Sequence, residues 1–132
     1  MKTISIIIPV LNESAALAAN LPQLQAWRAD GHELVVVDGG STDQSLSVCA
    51  GLVDHVLSAP AGRASQMNAG ARVASGDVLL FLHMDTVLPA ILPQQLLNSL
   101  AASPLHCWGR FDLRLSGMQP VFRVIESLIN LR

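Results

Sequence analysis

The chain has 132 residues, 51% of them hydrophobic but only 4% aromatic, and a formal net charge of -2. That length gives one domain whose core must be built from Ala, Val, Leu and Ile, and the weakly acidic balance excludes a basic nucleic-acid surface. No apolar run approaches the ~20 residues of a membrane-spanning helix, while a mean hydropathy of +0.44 suits a sheet covered on both faces.

The N-terminal MKTISIIIPVLNE has a charged start and an apolar stretch, but no small-residue cleavage site follows. It therefore reads as a first strand over residues 3–10 and not as a signal peptide. Residues 13–29 read as a helix with Leu17, Leu21, Leu24 and Trp27 on one face. Pro22 is expected to kink or divide it, with Asn20 as a cap, and Asp30-Gly31 to end it. A second strand over 33–37 leads through the GGST turn to a short helix over 43–50. A third strand covers 55–57, an Ala-rich helix 63–74 and a fourth strand 78–82. A helix over 93–102, an extended stretch over 107–115 and a helix from Val121 to Leu131 complete the chain.

Repeated βα units with short connections predict an α/β fold, a doubly wound, mostly parallel sheet with helices on both faces. No repeat, low-complexity segment or linker marks a boundary, so residues 1–132 read as a single domain. Cys49 and Cys107 are too few and too isolated for a disulfide framework or a zinc site. They read as buried reduced thiols, in keeping with a cytoplasmic protein. The last helix carries Val121, Phe122, Val124, Ile125, Leu128, Ile129 and Leu131, a band wider than one surface helix normally shows. Either another chain or a membrane surface covers it, or the sequence is cut short.

Three carboxylates end apolar runs: Glu13 after ISIIIPVLN, Asp38 after ELVVV and Asp85 after DVLLFLHM. In open α/β sheets ligands sit beyond the carboxyl ends of the strands. Unpaired carboxylates gathered there need a partner that offsets their repulsion, and a divalent metal with a hydroxyl-rich nucleotide does so. In VVVDGGSTD, Gly39 and Gly40 let backbone approach a ligand, and Ser41, Thr42 and Asp43 can cap the next helix. Capping explains Asp43 but not Asp38. Glu13 reads equally as a first-turn carboxylate against the helix dipole. In GRASQMNAGARVASGD, Arg63 at a helix N-terminus suits a phosphate, and a close-packed Ala/Gly helix with a solvated Arg is the equal alternative. In FLHMDT, His83, Asp85 and Thr86 offer metal and hydroxyl ligands on a rigid element. His83 reads equally as a backbone hydrogen-bonder. Asp85, expected beside Asp38's strand, has Arg63 as its one evident cationic partner.

In that order and spacing, IIIPVLNE, VVVDGGSTD, GRASQMNAG with SGD, and FLHMDT resemble the family 2 glycosyltransferases of the GT-A fold. FLHMDT with CWGRFDLRLSG further resembles the subgroup described as rSAM/selenodomain-associated glycosyltransferases, and the likeness runs from Ile4 to about Arg132. It implies metal-dependent, inverting transfer of a sugar from a nucleoside-diphosphate sugar, a UDP-sugar favoured, to an acceptor. It also implies that Pro9, Leu11 and Glu13 line the nucleoside pocket and that Asp38 takes the base or ribose. Gly39 and Asn68 belong to the same site, and Arg63 faces the base or diphosphate. His83 stands where the family usually has the first Asp of Asp-x-Asp. Asp85 matches the last Asp, which coordinates Mn²⁺ or Mg²⁺ on the diphosphate.

In this family the general base lies further along, in an acidic motif that neither Asp112 nor Glu126 matches. On the resemblance, the chain is therefore the nucleotide half of an enzyme, truncated at its C-terminus. The alternative is a non-catalytic nucleotide-binding or assembly module of the same fold. A dinucleotide-binding oxidoreductase is disfavoured because the first strand runs into PVLNES and not G-x-G-x-x-G. Nucleotidyltransferases are disfavoured because the first strand lacks a glycine-rich, Arg-bearing phosphate loop. The expected setting is cytoplasmic, with peripheral contact to the inner face of the membrane or a homo-oligomer through the Val121–Leu131 helix, and no nucleic acid.

Overall fold

A computed structural model of the chain describes residues 1–103, 105, 108–112 and 114–131. In order they form β1 (Ile4–Val10), α1 (Ser14–Ala29), β2 (Glu33–Asp38), α2 (Ser45–Cys49), β3 (His55–Ser58), α3 (Arg63–Val73), β4 (Val78–Phe81), α4 (Leu92–Ala102) and α5 (Pro120–Asn130). The chain falls into two compact units, Met1–Leu97 and Asn98–Arg132.

The first unit is built on a parallel sheet in the order β3-β2-β1-β4. Every residue of β1 is buried, because its side chains alternate between two covered faces. On one face Ile4, Ile6, Ile8 and Val10 join Leu34, Val36, Leu80 and Leu82 beneath Leu17, Leu21, Leu24 and Trp27 of α1. On the other, Ile7, Val35 and Val37 lie against Ala69, Ala71 and Ala74. The doubly wound α/β arrangement is thus present, with helices on both faces.

Pro22 does not divide α1, which is continuous from Ser14 to Ala29. Pro22 and Ala18, whose carbonyl loses its i+4 donor, both lie on the exposed face, where water replaces the missing bond. Nor is Asn20 a cap: its Nδ2 donates across to the carbonyl of Met84. Cys49 is buried, and burial together with the nearby Asp38 charge pushes its thiol up, so it stays protonated and inert. Cys107 lies outside the described residues.

At the N-terminal end of the sheet Glu33 fastens three segments. Its carboxylate accepts from Ser5 Oγ, from Ser75 N at 2.9 Å and from Ser75 Oγ at 3.0 Å, and pairs with His55 Nε2 at 3.3 Å. Burial raises its pKa, but the Ser5 and Ser75 hydrogen bonds and the His55 charge outweigh that and hold it below the ordinary value.

In the second unit, the described part of the stretch expected to be extended, residues 108–112 and 114–115, has neither helix nor strand. Arg123 Nη2 donates to the carbonyls of Leu115 and Gly117 at 3.0 and 3.2 Å. Glu126 accepts from Leu115 N and pairs with Arg123 at 2.8 Å. Val121, Val124 and Leu128 of α5 are exposed, as the width of the apolar band implies. Among the described residues no helix is long and apolar enough to cross a membrane.

The small residues of α3 let it lie close on the sheet. A Cβ at Gly70 would stand 2.5 Å from Ile7 Cγ2 and 3.1 Å from Val37 Cγ2. Alanine in a helix interior normally gains roughly 1 kcal/mol over glycine, whereas forcing a methyl into a packed face costs about 1–3 kcal/mol. Gly70→Ala is expected to give a net loss, read as a lower urea midpoint at unchanged slope. A raised midpoint would show that α3 stands off the sheet.

Candidate functional site

The strand order reverses between β1 and β4, since the chain winds outward through β2 and β3 and then returns to place β4 on the other side of β1. Crevices at such reversals, beyond the carboxyl ends of the strands, are where open α/β sheets bind ligands. Four connections meet that end: residues 11–13 after β1, 39–44 after β2, 59–62 leading into α3, and 82–91 after β4.

The first two connections are laced together by side chain to backbone hydrogen bonds. Asn12, in the left-handed region at φ 52°, accepts with Oδ1 from Thr42 N at 2.8 Å and Asp43 N at 3.3 Å. In return Asn12 N donates to Ser41 Oγ at 2.8 Å, Glu13 N to Ser45 Oγ at 2.9 Å and Ser14 N to Asp43 Oδ2 at 3.1 Å. Ser14 N, the first amide of α1, which has no partner within the helix, is thus capped from the neighbouring loop. Glu13 sits at the N-cap without using its side chain there, so its half-buried carboxylate is available to a ligand.

Asp38 behaves differently from the expectation that capping leaves it unexplained. It is buried, and its carboxylate accepts from Gly40 N at 3.0 Å and from Ser41 N at 3.0 and 3.3 Å. The carboxylate therefore builds the turn that carries Gly39 to Ser41, using the Gly40 and Ser41 amides in place of a counter-charge. Nor does Asp38 lie beside the strand of Asp85. β1 intervenes, which sets the β2 and β4 axes roughly 10 Å apart. Gly39 makes its close approach to protein: a Cβ there would stand 3.0 Å from Gln66 Oε1.

Arg63 begins α3, exposed, and its guanidinium makes no hydrogen bond or ion pair among the described residues. Asn68 is exposed further along the same helix. Pro9 is buried within β1 and Leu11 is exposed just beyond it. Beyond β4, Leu82 N still bonds Ile7 O at 2.9 Å, and a turn from Thr86 N to His83 O at 3.0 Å then presents Asp85. Asp85 is exposed, with Thr86 Oγ1 at 3.3 Å from its Oδ1. His83 is half-buried.

Among the described residues no three His, Cys, Asp or Glu side chains converge on a metal position. That donor set fits a cation of the Mg²⁺ type, which takes one or two carboxylates and fills the rest of its shell with phosphate oxygens and water. Asp85 is exposed, and its carboxylate is held by its neighbouring threonine. A cavity of about 330 Å³ lies on the α1 side, walled by Leu24, Trp27, Met84 and Val87 among others. Its lining includes none of Glu13, Asp38, Arg63, His83 or Asp85, although Leu82, Met84, Thr86, Val87, Leu88 and Ala90 belong to the connection after β4.

The sequence model of glycosyl transferase family 2 matches residues 5–127. The chain belongs to that family. This family 2 chain is 38% identical over 91 residues to the PGL/p-HBAD biosynthesis glycosyltransferase Rv2957 of Mycobacterium tuberculosis, a match covering 64% of this chain and 36% of the relative. It is 30% identical over 100 residues to the undecaprenyl-phosphate 4-deoxy-4-formamido-L-arabinose transferase of Aeromonas hydrophila, covering 67% and 31%. The match therefore spans about a third of the length of these curated relatives. Among solved structures it is similar to glucosyl-3-phosphoglycerate synthase of M. tuberculosis in complex with Mn²⁺, UDP and glucosyl-3-phosphoglycerate. That likeness has a TM-score of 0.63 and 25% identity, over 75% of this chain and 39% of the synthase. A mannosyltransferase from Pyrobaculum calidifontis in complex with GDP-Man and Mn²⁺ shares the fold, with a TM-score of 0.67 and 23% identity over 74% and 32%. The fold of the family 2 chain is thus that of GT-A glycosyltransferases.

Four residues of the loop clamp and its support, Asn12, Ser41, Ser45 and Gln66, are not among those expected from sequence. Gln66 had a readable signal: it lies four residues before Gly70, on the helix face that meets the sheet.

Hydrogen bonds from Ser45, above all its hydroxyl, and from Ser14 N lower the Asp43 pKa to about 2. A depressed carboxylate contributes stability that is present above its ordinary value and lost as pH falls towards the folded one. The clamp between the β1 and β2 loops is therefore expected to hold at pH 5 and to loosen between about pH 4 and 2. The measurement is an NMR titration of the Asp43 carboxyl carbon, with hydrogen exchange at the Ser14 and Ser45 amides. An Asp43 midpoint near 4 with unchanged exchange would remove it from the clamp.

Proposed function

We propose that this chain is the donor-binding part of a metal-dependent, inverting glycosyltransferase that takes its sugar from a nucleoside diphosphate, a UDP-sugar favoured, and passes it to an acceptor. The observation that carries this reading is the gathering of Leu11, Glu13, Asp38, Arg63, His83 and Asp85 on connections at one end of the sheet, around the β1–β4 reversal. Membership of family 2 supports it, as do Mn²⁺ and UDP in the complex of the similar synthase.

In this reading Leu11 supplies an apolar surface to the base, and Glu13 and the Asp38 turn supply acceptors and amides to base and ribose. Arg63, with the N-terminus of α3 behind it, takes diphosphate oxygens. Asp85 would hold Mn²⁺ or Mg²⁺, which when bound offsets charge on the departing diphosphate. His83, placed two residues before Asp85, lies on the same turn and takes ribose or phosphate oxygen. The base that activates the acceptor hydroxyl is assigned to no residue of this chain. Glu126 is committed to Leu115 and Arg123. The second reading is a non-catalytic nucleotide-binding or assembly module of the same fold.

Calorimetry with UDP, GDP and UDP-glucose, with and without Mn²⁺, tests the donor site. Loss of a hydrogen-bonded charge costs about 1.5–3 kcal/mol, so Arg63→Ala is expected to weaken UDP roughly 10- to 150-fold. Asp85→Ala is expected to abolish the gain in affinity that Mn²⁺ confers. Absence of binding by the folded wild-type chain would sink the donor reading. Release of sugar from UDP-sugar by this chain, abolished in Asp85→Ala, would dismiss the non-catalytic one.

A further inference from the structure

Gln66 is only 4% exposed, yet it is the polar member of a helix face otherwise made of small residues. Its Nε2 donates to Val10 O at 2.9 Å and to Val37 O at 2.8 Å. Its Oε1 accepts from Gly62 N at 3.1 Å. Both amide hydrogens and the carbonyl are thus spent on backbone groups of three different segments.

Those groups lie where the sheet opens into the crevice. Pro9 pairs in register with Val37 and Val10 with Asp38, at the last positions of the β1–β2 ladder. Beyond them the strands turn into separate loops. Gly39 N takes one share of Val10 O at 2.9 Å, and the Gln66 carboxamide supplies the remaining donors. The same carboxamide holds the Gly62 amide, and Gly62 stands at φ 145°, immediately before Arg63. One side chain therefore ties together the strand end that leads to Leu11 and Glu13, the strand end that carries Asp38, and the turn that aims Arg63.

Bulk alone does not account for this choice. Methionine would fill nearly the same volume on a face packed against Ile7, Val35 and Val37, without the cost of burying an amide. What the amide adds is direction: three hydrogen bonds fix the spacing of two strand tips and a helix start.

We propose that Gln66 is a positioning residue for the nucleotide-sugar site, setting the separation between the β1 tip, the Asp38 turn and Arg63 so that one ligand meets all three. This rests on the donor-binding reading above. Asp85 is outside its reach, because β4 receives no hydrogen bond from Gln66.

The test is UDP binding by Gln66→Met and Gln66→Asn in the full chain, measured calorimetrically well below each variant's Tm, with and without Mn²⁺. Asparagine, one methylene shorter, keeps the amide but cannot span all three partners, and serves where methionine prevents folding. Affinity for UDP is expected to fall tenfold or more. The ratio of affinities with and without Mn²⁺ stays at the wild-type value, since Asp85 is untouched. Hydrogen exchange at the Gly62 amide speeds up in the same variants. A purely structural role would lower Tm and leave the affinity of the folded variant within twofold of wild type, and that result overturns the proposal. Wild-type protein that binds neither UDP nor GDP with Mn²⁺ removes the donor reading and this proposal with it, whereas wild-type binding with unaltered variants removes this proposal alone.

Discussion

The functional end of the sheet depends on how the backbone groups at the tips of β1 and β2 are satisfied once the two strands stop pairing. A buried carbonyl or amide without a partner costs about as much as a hydrogen bond, so a crevice cannot simply be opened between parallel strands. Here side chains close that account. The carboxamide of Gln66 covers Val10 O and Val37 O, Asp38 takes the amides of Gly40 and Ser41, and Asn12 with Asp43 ties the two loops to each other. The network is built largely from polar side chains bonding to backbone, which gives fixed geometry at the mouth of the site.

The two ends of the sheet divide the work between them. At the N-terminal end, Glu33 is held by Ser5, Ser75 and His55, and Thr3 N bonds Asp77 at 2.8 Å. These contacts join segments far apart in sequence and contribute to stability with no ligand in prospect. At the C-terminal end, Arg63 and Asp85 are exposed and little engaged, and the Glu13 carboxylate is unspent. The unspent charges thus gather at the strand-tip end, while the Glu33 and Asp77 carboxylates at the other end are hydrogen-bonded.

The metal reading fits the same economy. A resident structural ion needs several protein ligands, whereas an ion that arrives on a diphosphate brings most of its oxygens with it. One exposed carboxylate on a turn after β4, on the far side of the strand reversal from Asp38, is enough for the second case. In the proposed donor reading, a nucleotide would lie across the strand tips, since β1 separates Asp85 from Asp38.

The apolar runs ISIIIPV and ELVVV read as strands buried on two faces, and they are, whereas VLLF at the sheet edge leaves Leu79 and Phe81 exposed; alternation with Leu/Trp-periodic or Ala-rich segments called for helices to cover the sheet. Those features are local and fixed by side-chain period, so element order, fold class and the strand-tip placement of Glu13, Asp38 and Asp85 were legible in the residues. Cys49 as a buried thiol and the exposed apolar band of α5 were legible for the same reason. Strand order was not. Nothing local in VVVDGG or FLHMDT says that β1 separates them, because order is decided by which faces the crossover helices cover. The spending of Asp38 on its own turn, the unbroken passage of α1 through Pro22 and the reach of Asn20 to Met84 likewise depend on neighbours distant in sequence. Gln66 lies between these cases. Its helix face follows from period 3.6, but the two carbonyls it joins come within its reach only once β1 and β2 have been brought side by side.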